Sequence, residues 1–446
     1  MEKLVVNGGR KLKGKIGVSG SKNVALKVLV ASLLTKEKVI IENVPRISDF
    51  NILVEIVEDL GATVDFIDHT LTIEAGTLAD YDVPLEGAAS LRASSMLIAP
   101  LLVRMGKALI PNPGGCRIGA RPIDRTIEGL IHMGADIRYD SQDGYFHAKT
   151  NGFRGVTYEF EKNTHTGTET LIIAAVLAKG KTILKNAAEE PEVDELINFL
   201  TSMGAKIKRD KRTITITGVN KLSGTTFRIM PDRNEVVTFA IAAYVTNGDI
   251  TVVNAQKEHI KEFLDKLDLA GAKWEEVKEG GIRFYNGTFA AVDVETRQHP
   301  GFMTDWQAPW AVLMTQANGT SIIHETVYES RFGYVNELIK MGAKIKLFNP
   351  KVENPKEFYN FNYDDDKPEY RHAARIEGPT PLHNAVVQIT DLRAGATLVL
   401  AALAASGKSV IFGVQHLDRG YEDFDEGLRS LGADIQREEY NAIATP

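Results

Sequence analysis

Six stretches of the chain share one alternation of apolar and polar positions. In each, apolar residues at helical spacing end in a bulky apolar residue or alanine, followed by Gly, Ala and a strand-like alternation. Glycine directly after a helix adopts the left-handed conformation at low cost, so it stops the helix and turns the chain into a strand. The glycines, separated by 73, 70, 67, 71 and 90 residues, are Gly61, Gly134, Gly204, Gly271, Gly342 and Gly432. One structural unit is therefore used six times.

A second landmark precedes each of these turns: a compact apolar helix followed by a strand. The first unit has ALKVLVASLL and then KVIIENV, and the sixth has LVLAALAA and then SVIFGVQ. Each unit therefore predicts strand, helix, strand, helix, strand, strand, which is an α/β fold. Such short units bury little core alone, so we expect two lobes of three units each. The predicted first lobe spans 22–230, and the second combines 1–21 with 231–446.

The fifth separation is longer than the others because extra residues fall at 348–372. This stretch is rich in Asn, Asp, Pro, Lys and Tyr. Its composition favours a solvated surface insertion, with a functional lid as the alternative.

Bulk composition narrows the function classes. The chain is 43% apolar and 25% charged, as in ordinary globular proteins. A net charge of −7 disfavours a nucleic-acid or anionic-membrane binder but is compatible with a local basic pocket for a small anion. The longest apolar runs, such as those from Leu171 and Leu398, are eight residues long, too short for membrane insertion. The N-terminus lacks a secretory pattern and a single cysteine cannot form an internal disulfide, which favours the cytoplasm. We expect a monomer or a weak homo-oligomer.

The lone cysteine, Cys116, lies in the unusual segment PNPGGCRIGARPIDR. Glycines on both sides predict a mobile, exposed loop. The neighbouring Arg117, Arg121 and Arg125 favour the thiolate and lower the pKa of the thiol. The alternative is that a lone cysteine is a buried, small apolar residue.

A candidate anion site lies at the start of the first helix. The segment SGSKNVAL puts Ser21 at the N-cap and Lys22 and Asn23 in the first turn. Unpaired amide groups at a helix start, together with a lysine, attract anions, although such a lysine is often only solvated. Further basic residues, four of the five at comparable ends of other units, are Arg92, Arg121, Arg331, Arg393 and Arg419. We expect these ends to converge on a basic pocket.

Asp305 lies just before an apolar helix in PGFMTDWQAPW. Taken alone it is typical of a helix cap, but beside a basic pocket a carboxylate can act as a general base. The same alternatives apply to Asp232 and Asp391. No metal is expected, since the sequence has no HExxH motif and only one cysteine.

Eight motifs in order resemble those of the UDP-N-acetylglucosamine enolpyruvyl transferase family over nearly the whole chain. They are SGSKN, LRAS, GGCRIGARPID, MPDRNE, PGFMTD, ETVYESRF, TDLRA and DRGYE. The resemblance implies two inside-out α/β barrels, each of three βαβαββ units, with the active site in the cleft. It also implies transfer of the enolpyruvyl group of phosphoenolpyruvate to the 3-hydroxyl of UDP-N-acetylglucosamine, with release of phosphate and no cofactor. This is the first committed step of peptidoglycan precursor synthesis.

The resemblance also implies a role for each matching residue. Cys116 corresponds to the acid that protonates the phosphoenolpyruvate methylene and to the target of fosfomycin, and Asp305 to the carboxylate near the sugar hydroxyl. The resemblance implies phosphate contacts by Lys22, Arg121 and Arg419. Of these, Lys22 and Arg419 also correspond to catalytic residues. Contacts to the carboxylate of phosphoenolpyruvate correspond to Arg331 and Arg393, with Arg92 supporting the cluster. The remaining substrate contacts are Asn23, Pro122, Asp124, Arg125, Lys162, Thr164, Asp232, Val327 and Asp391.

One segment departs from the family pattern. Where the family has Ser-Val-Gly-Ala-Thr, this chain has Thr-His-Thr-Gly-Thr from Thr164 to Thr168, which leaves the nucleotide contacts open. Two alternative functions follow. One is transfer to shikimate 3-phosphate, which the Cys116 loop and residues 298–305 fit less well. The other is a non-catalytic homologue that binds a sugar nucleotide, which only the altered segment favours.

Overall fold

The chain folds into two compact units. The structure, a computed structural model, describes residues 1–114, 123–285 and 287–440. The first lobe consists of the described residues from Gly20 to Met230, and the second of Met1–Ser19 with the described residues from Pro231 onwards. Each lobe has its own hydrophobic core.

Two strands open the chain, and the elements of the first lobe follow. The apolar helices of its three units are α1, α4 and α6. In chain order the elements are β1 (Glu2–Asn7), β2 (Lys13–Ile16), α1 (Lys22–Ser32), β3 (Val39–Glu42), α2 (Ser48–Asp59), β4 (Thr63–Ile67), β5 (Thr70–Glu74), α3 (Leu85–Ser90), a 3-10 helix (Arg92–Leu97), α4 (Ile98–Met105), β6 (Lys107–Pro111), α5 (Asp124–His132), β7 (Asp136–Asp140), β8 (Tyr145–Lys149), β9 (Thr157–Glu159), α6 (His165–Ala175), β10 (Lys181–Lys185), α7 (Pro191–Ser202), β11 (Lys206–Asp210), β12 (Thr213–Thr217) and β13 (Thr226–Arg228).

The second lobe repeats the same order, with α8, α10 and α13 as its apolar helices. Its elements are α8 (Arg233–Val245), β14 (Asp249–Val252), a 3-10 helix (Lys257–Ile260), α9 (Lys261–Ala270), β15 (Lys273–Glu276), β16 (Ile282–Tyr285), β17 (Val294–Glu295), α10 (Thr304–Gln316), β18 (Gly319–His324), α11 (Val335–Lys340), β19 (Lys344–Phe348), α12 (Pro355–Phe358), a 3-10 helix (Tyr363–Asp365), β20 (Ala373–Gly378), β21 (Val386–Gln388), α13 (Leu392–Ala404), β22 (Lys408–Phe412), a 3-10 helix (Val414–His416), α14 (Phe424–Ser430) and β23 (Asp434–Glu439).

Each unit contributes one small sheet. Five sheets in the described chain have four strands, in the orders β13-β3-β5-β4, β11-β12-β10-β9, β15-β16-β14-β2, β17-β18-β20-β19 and β21-β22-β1-β23; a sixth, β6-β8-β7, has three. In the four-stranded sheets a short edge strand runs parallel to the strand after the apolar helix, as β2 does beside β14. The N-terminal strand β1 lies antiparallel between β22 and β23, with Val5 opposite Val410 and Gln436. The start of the chain therefore completes two sheets of the second lobe.

The apolar helices lie inside their lobes. In α8 every residue is buried, and α8, α10 and α13 pack against one another while each contacts strands of its own unit. A helix that is apolar on all sides is stable only when all of its faces are buried. The second helix of each unit, in contrast, has one polar face that can lie in solvent. None of the described helices has the length and apolar character needed to cross a membrane.

The six predicted glycine turns are confirmed. Each glycine has a positive φ, between 72° and 107°. At the second turn, for example, Gly134 N donates to Ile131 O at 2.9 Å and Ala135 N donates to Leu130 O at 3.0 Å. These bonds satisfy carbonyls at the end of the helix, and the alanine that follows is buried in all six copies.

The insertion at 348–372 is only partly solvated, in contrast to the favoured expectation. It contains α12, and Tyr359 and Phe361 are 3% and 6% exposed. Their rings stack 4.9 Å apart and lie against His372. Asn360 N donates to Thr326 O at 2.8 Å, which ties the insertion to the segment after β18.

Candidate active site

Three predicted site residues of the second lobe meet at the starts of two apolar helices. Asp305 lies in the first turn of α10, Arg393 in the first turn of α13, and Arg331 ahead of α11. Arg331 Nη2 donates to Asp305 Oδ1 at 2.7 Å, and Arg393 Nη2 donates to Asp305 Oδ2 at 3.1 Å. One carboxylate therefore holds two guanidinium groups, and we call these three residues the arginine cluster.

The arginine cluster has more positive than negative charge and retains donor capacity. The side chains of Arg331 and Arg393 are only 5% and 6% exposed. Within the described chain, Nε of Arg331 and Nη1 of Arg393 are buried without a hydrogen-bond partner. A buried charged donor without a partner is costly, so this arrangement suits an anion that supplies the missing acceptors.

Neighbouring groups keep both guanidinium groups charged. Burial alone would lower the pKa of Arg331, but Asp305 and Asp391 raise it above its usual value. Burial likewise opposes the charge of Arg393, while Tyr421, Asp305 and Asp232 raise its pKa. Both residues therefore remain cations at any pH relevant to the protein.

The two other candidate carboxylates of this lobe start helices. Asp391 Oδ1 accepts from the backbone N of Arg393 at 3.0 Å, and Asp232 Oδ1 accepts from the backbone N of Asn234 at 2.7 Å. These are N-cap contacts, and the cap of α13 holds the backbone of Arg393, the second residue of the helix. Their carboxylates thus shape the cluster as well as adding negative charge near it.

Val327 lies in a segment held by a buried carboxylate, and Arg419 lies in the turn that precedes α14. The buried Glu325 accepts from the backbone N of Val327 at 2.8 Å and from Thr304 Oγ1 at 2.8 Å. Burial raises the pKa of Glu325. Arg419 is half-buried. The pKa of the nearby His416 is lowered, mainly by burial of the imidazole and to a smaller extent by the positive charge of Arg419.

In the first lobe, the start of α1 carries Lys22 and Asn23 as predicted. Ser21 occupies the N-cap position, but its side chain makes no capping hydrogen bond. Lys22 is buried, and its Nζ donates to Asp49 Oδ2 at 2.6 Å. Lys22 is therefore fixed in position by a carboxylate of α2.

The other first-lobe candidates lie near the starts of α5 and α6, except for Arg92. Thr164 caps α6, where its Oγ1 accepts from Gly167 N at 3.3 Å. Arg125, in the first turn of α5, is half-buried, and burial lowers its pKa. Lys162 is half-buried just before Thr164, Asp124 is exposed at the start of α5, and Arg92 opens a 3-10 helix.

Three predicted site residues, Cys116, Arg121 and Pro122, lie outside the residues that the structure describes. Within the described part, one group could offer three metal ligands: Asp140, Asp143 and His147, with ligand atoms within 4.8 Å of one another. These residues lie on the β7–β8 hairpin, where Asp143 accepts from Tyr145 N and pairs with His147. The hairpin's own hydrogen bonds thus already use Asp143.

Two buried charged sites were missed by the sequence analysis. In the first lobe, Glu169 pairs with Lys27 and His165. In the second, burial and Asp232 raise the pKa of Glu235 to about 8. Both glutamates lie near the starts of their helices, ahead of the apolar stretch, where the pattern of apolar residues does not indicate burial.

Comparison with known sequences gives a consistent picture. Residues 6–441 match the family described as EPSP synthase (3-phosphoshikimate 1-carboxyvinyltransferase). A UDP-N-acetylglucosamine 1-carboxyvinyltransferase of Acidobacterium capsulatum is 41% identical, covering 98% of this chain and 96% of the relative. One of Koribacter versatilis is 42% identical with the same coverage.

Solved structures agree with the fold. The enolpyruvyl transferase NikO from Streptomyces tendae is similar with a TM-score of 0.84 and 25% identity, covering 99% of both chains. The EPSP synthase of Acinetobacter baumannii matches with a TM-score of 0.74 and 18% identity, covering 98% of this chain and 100% of that one. The second likeness concerns the fold alone.

Proposed function

The chain belongs to the EPSP synthase family, alongside the UDP-N-acetylglucosamine 1-carboxyvinyltransferases, and on this premise we propose how its residues act. The reaction transfers the enolpyruvyl group of phosphoenolpyruvate to the 3-hydroxyl of UDP-N-acetylglucosamine and releases phosphate. In the cell this reaction supplies peptidoglycan precursor synthesis.

The arginine cluster is the observation that carries the proposal. Phosphoenolpyruvate carries a carboxylate and a phosphate, and guanidinium groups bind such anions through paired, charge-assisted hydrogen bonds. Arg331 and Arg393 are buried, charged and each has one donor without a partner in the described chain. We assign them to the carboxylate of phosphoenolpyruvate, and Lys22, Arg121 and Arg419 to its phosphate.

Asp305 is assigned to the sugar hydroxyl. Two adjacent guanidinium groups stabilise its carboxylate form while the site is empty of anions. An anion that shares those groups neutralises them, so the carboxylate becomes a better acceptor for the proton of the 3-hydroxyl. Substrate binding would thereby prepare the base.

The chemistry then needs an acid on the other side of the double bond. The oxygen of the sugar hydroxyl bonds to the carbon that bears the phosphate, while Cys116 gives a proton to the methylene carbon. The Cys116 thiolate then takes back one methyl proton, and phosphate leaves with the proton that Asp305 took from the hydroxyl, which restores the double bond. The positive character that develops during addition is stabilised by nearby negative charge, which Asp305 and the phosphate supply.

The first lobe is assigned to the sugar nucleotide. Asn23 and Thr164 lie at the starts of α1 and α6. The basic Lys162, two residues before Thr164, and Arg125, in the first turn of α5, are half-buried. Arg92, Pro122, Asp124 and Val327 complete the proposed substrate contacts. Helix starts and basic side chains together favour a diphosphate.

Phosphate release from phosphoenolpyruvate tests the function. With fresh protein, release should require UDP-N-acetylglucosamine and stop when it is omitted. Shikimate 3-phosphate is the comparison substrate, because the family description makes it the second candidate. Turnover with shikimate 3-phosphate alone would reverse the assignment, and binding of the sugar nucleotide without turnover would indicate a non-catalytic homologue.

A further inference from the structure

A buried charged cluster joins α1 and α6 in the first lobe. Lys27 Nζ lies 3.1 Å from Glu169 Oε2, and His165 Nε2 lies 3.1 Å from Glu169 Oε1. The side chain of Glu169 is fully buried, that of Lys27 is 7% exposed, and that of His165 keeps 24% of its surface exposed. We call these three residues the lysine–glutamate–histidine cluster.

The charges around His165 come from three elements. Glu169 lies one turn along α6, Lys27 comes from α1, and the buried Glu190 precedes α7. With Lys27 and both glutamates ionised, the formal charges of the cluster and Glu190 add up to −1 while His165 is neutral. A proton on His165 brings the sum to zero.

Charged groups of α5 also pack near α6, but they act elsewhere. Arg125 and Glu128 affect Tyr158, whose hydroxyl donates to Glu128 Oε2 at 3.2 Å. Glu169, Lys27 and Glu190 therefore set the electrostatic environment of His165.

Stability does not explain this cluster. Burying an ion pair costs about as much in lost hydration as the pair returns, so apolar residues of similar size usually serve a core as well or better. Most of the other buried residues of the two helices are apolar, among them Val24 and Leu29 on α1 and Leu171 and Ile172 on α6, although α1 also carries the buried Lys22. The charges therefore call for a role beyond packing.

The cluster lies one turn below the proposed sugar-nucleotide contacts. Lys27 follows Asn23 by four residues on α1, so the two side chains share a face of the helix. His165 directly follows Thr164, the cap of α6. The Lys27–Glu169 ion pair thus links the two helices near their starts, and the His165–Glu169 pair lies within α6.

We propose that the lysine–glutamate–histidine cluster positions the starts of α1 and α6 for the sugar nucleotide and couples binding of its diphosphate to a proton on His165. The inference rests on the function proposed above. With His165 protonated, the cluster no longer repels the diphosphate. By reciprocity, binding of the diphosphate favours uptake of that proton.

The electrostatics of His165 agree with this direction. Burial alone would lower its pKa, but Glu169 and Glu190 oppose that effect and the net pKa is raised above the ordinary value. His165 therefore keeps its proton to a higher pH than an ordinary histidine and loses it as the pH rises further. Affinity for the diphosphate should fall over the same interval.

Calorimetric titration of the full chain with UDP-N-acetylglucosamine between pH 6 and pH 8.5 tests the proposal. The diphosphate of this ligand is esterified at both ends and does not titrate in that range. The titration at each pH is run in two buffers of different ionisation enthalpy, because the difference between the observed heats gives the number of protons taken up. For the parent we expect affinity to weaken roughly three- to tenfold with rising pH, since one unit of pKa change corresponds to tenfold, and proton uptake at the alkaline end.

Two variants isolate the cluster. His165→Val should bind with little pH dependence and no proton uptake. Lys27→Met combined with Glu169→Leu keeps the histidine but removes its partners, and should also lose the uptake. His383→Gln, at an exposed histidine of the second lobe, is the matched control and should keep the parent profile.

The outcomes separate the two proposals. Tight binding that is independent of pH in the parent, or an unchanged slope in His165→Val, overturns the coupling and leaves the proposed function standing. Failure to bind at every pH overturns both.

Discussion

The arginine cluster of the second lobe and the lysine–glutamate–histidine cluster of the first lobe are both buried and charged, but they are built in opposite ways. The arginine cluster sets two guanidinium groups against Asp305 and keeps donors without partners in the described chain. The other cluster sets Lys27 against Glu169 and adds a histidine that can gain or lose a proton.

The difference shows how a buried charge can indicate its use. Surplus fixed cations with open donors need an external anion and so favour a binding site whose charge does not change with pH. A balanced pair beside a titratable group needs no external ion, but its net charge follows the pH. The first arrangement suits recognition of phosphoenolpyruvate, and the second suits tuning of the sugar-nucleotide segment.

Replacement of Asp305 should break the arginine cluster most severely. In Asp305→Asn two buried guanidinium groups lose their counter-charge, which costs about 3–5 kcal/mol of folding free energy for a buried pair. Loss of the proposed base should lower kcat by roughly 10²–10⁴. Phosphate release and urea unfolding measure the two effects separately.

Asp265→Asn is the matched control, because Asp265 pairs with Lys261 on the surface. It should leave both quantities near the parent values. A near-parent kcat in Asp305→Asn would contradict the role given to its carboxylate.

A conservative change at Arg331 tests whether the surplus charge or the fork-shaped donor matters. Arg331→Lys keeps the charge but loses Nε and the planar pair of donors. We expect KM for phosphoenolpyruvate to rise roughly 10–100-fold, the loss of one to two charge-assisted hydrogen bonds, with KM for the sugar nucleotide nearly unchanged. Arg283→Lys, at a surface arginine paired with Asp249 and Glu275, should change neither value. An equal rise in both KM values would count against the assignment of substrates to lobes.

Glu235 provides a buried carboxyl without an adjacent cation in the described contacts, and so contrasts with Asp305. Ser19 N and Oγ donate to its two oxygens at 3.1 and 2.5 Å. Burial and Asp232 raise its pKa from 4.5 to about 8. The unfolded chain therefore releases this proton above about pH 4.5 while the folded chain keeps it until about pH 8. The free energy of unfolding should fall across that interval and then level off.

Glu235→Gln removes this proton from both states. Its stability should depend less on pH and exceed that of the parent by about 1–3 kcal/mol above pH 8. Urea unfolding from pH 5 to pH 9 measures the difference, with the exposed Glu276→Gln as control. Parallel pH profiles for Glu235→Gln and the parent would show that the carboxyl is not held protonated.

The six-unit architecture was predictable because its signals are local. A Gly-Ala pair after an apolar helix specifies a turn whatever lies around it, and all six glycines have the expected positive φ. The motifs likewise predicted Asp305, Arg331 and Arg393 as site residues, and these three contact one another in the structure.

The lysine–glutamate–histidine cluster and the buried part of the insertion could not be predicted, because they depend on contacts that sequence spacing does not reveal. Lys27 and Glu169 are far apart in sequence and lie on different helices. Nothing local indicates that they meet. Tyr359 and Phe361 lie in a polar insertion, and only the surface beside His372 explains why they are buried.

The smallest expected effect concerns what the two lobes have in common. Gly204 ends a helix of the first lobe and Gly432 one of the second, with φ of 101° and 100°. An added Cβ would meet nothing within 4 Å at Gly204 and only Lys11 O at 4.0 Å at Gly432. The cost of Gly204→Ala or Gly432→Ala is therefore conformational alone, about 1–2 kcal/mol of unfolding free energy. Gly76→Ala, at an ordinary φ with similar space, should change stability by less than about 0.5 kcal/mol. Equal losses at both turns by urea unfolding would mean that the lobes share their scaffold and differ in their buried charges, whereas a loss at one turn only would mean that the scaffolds differ as well.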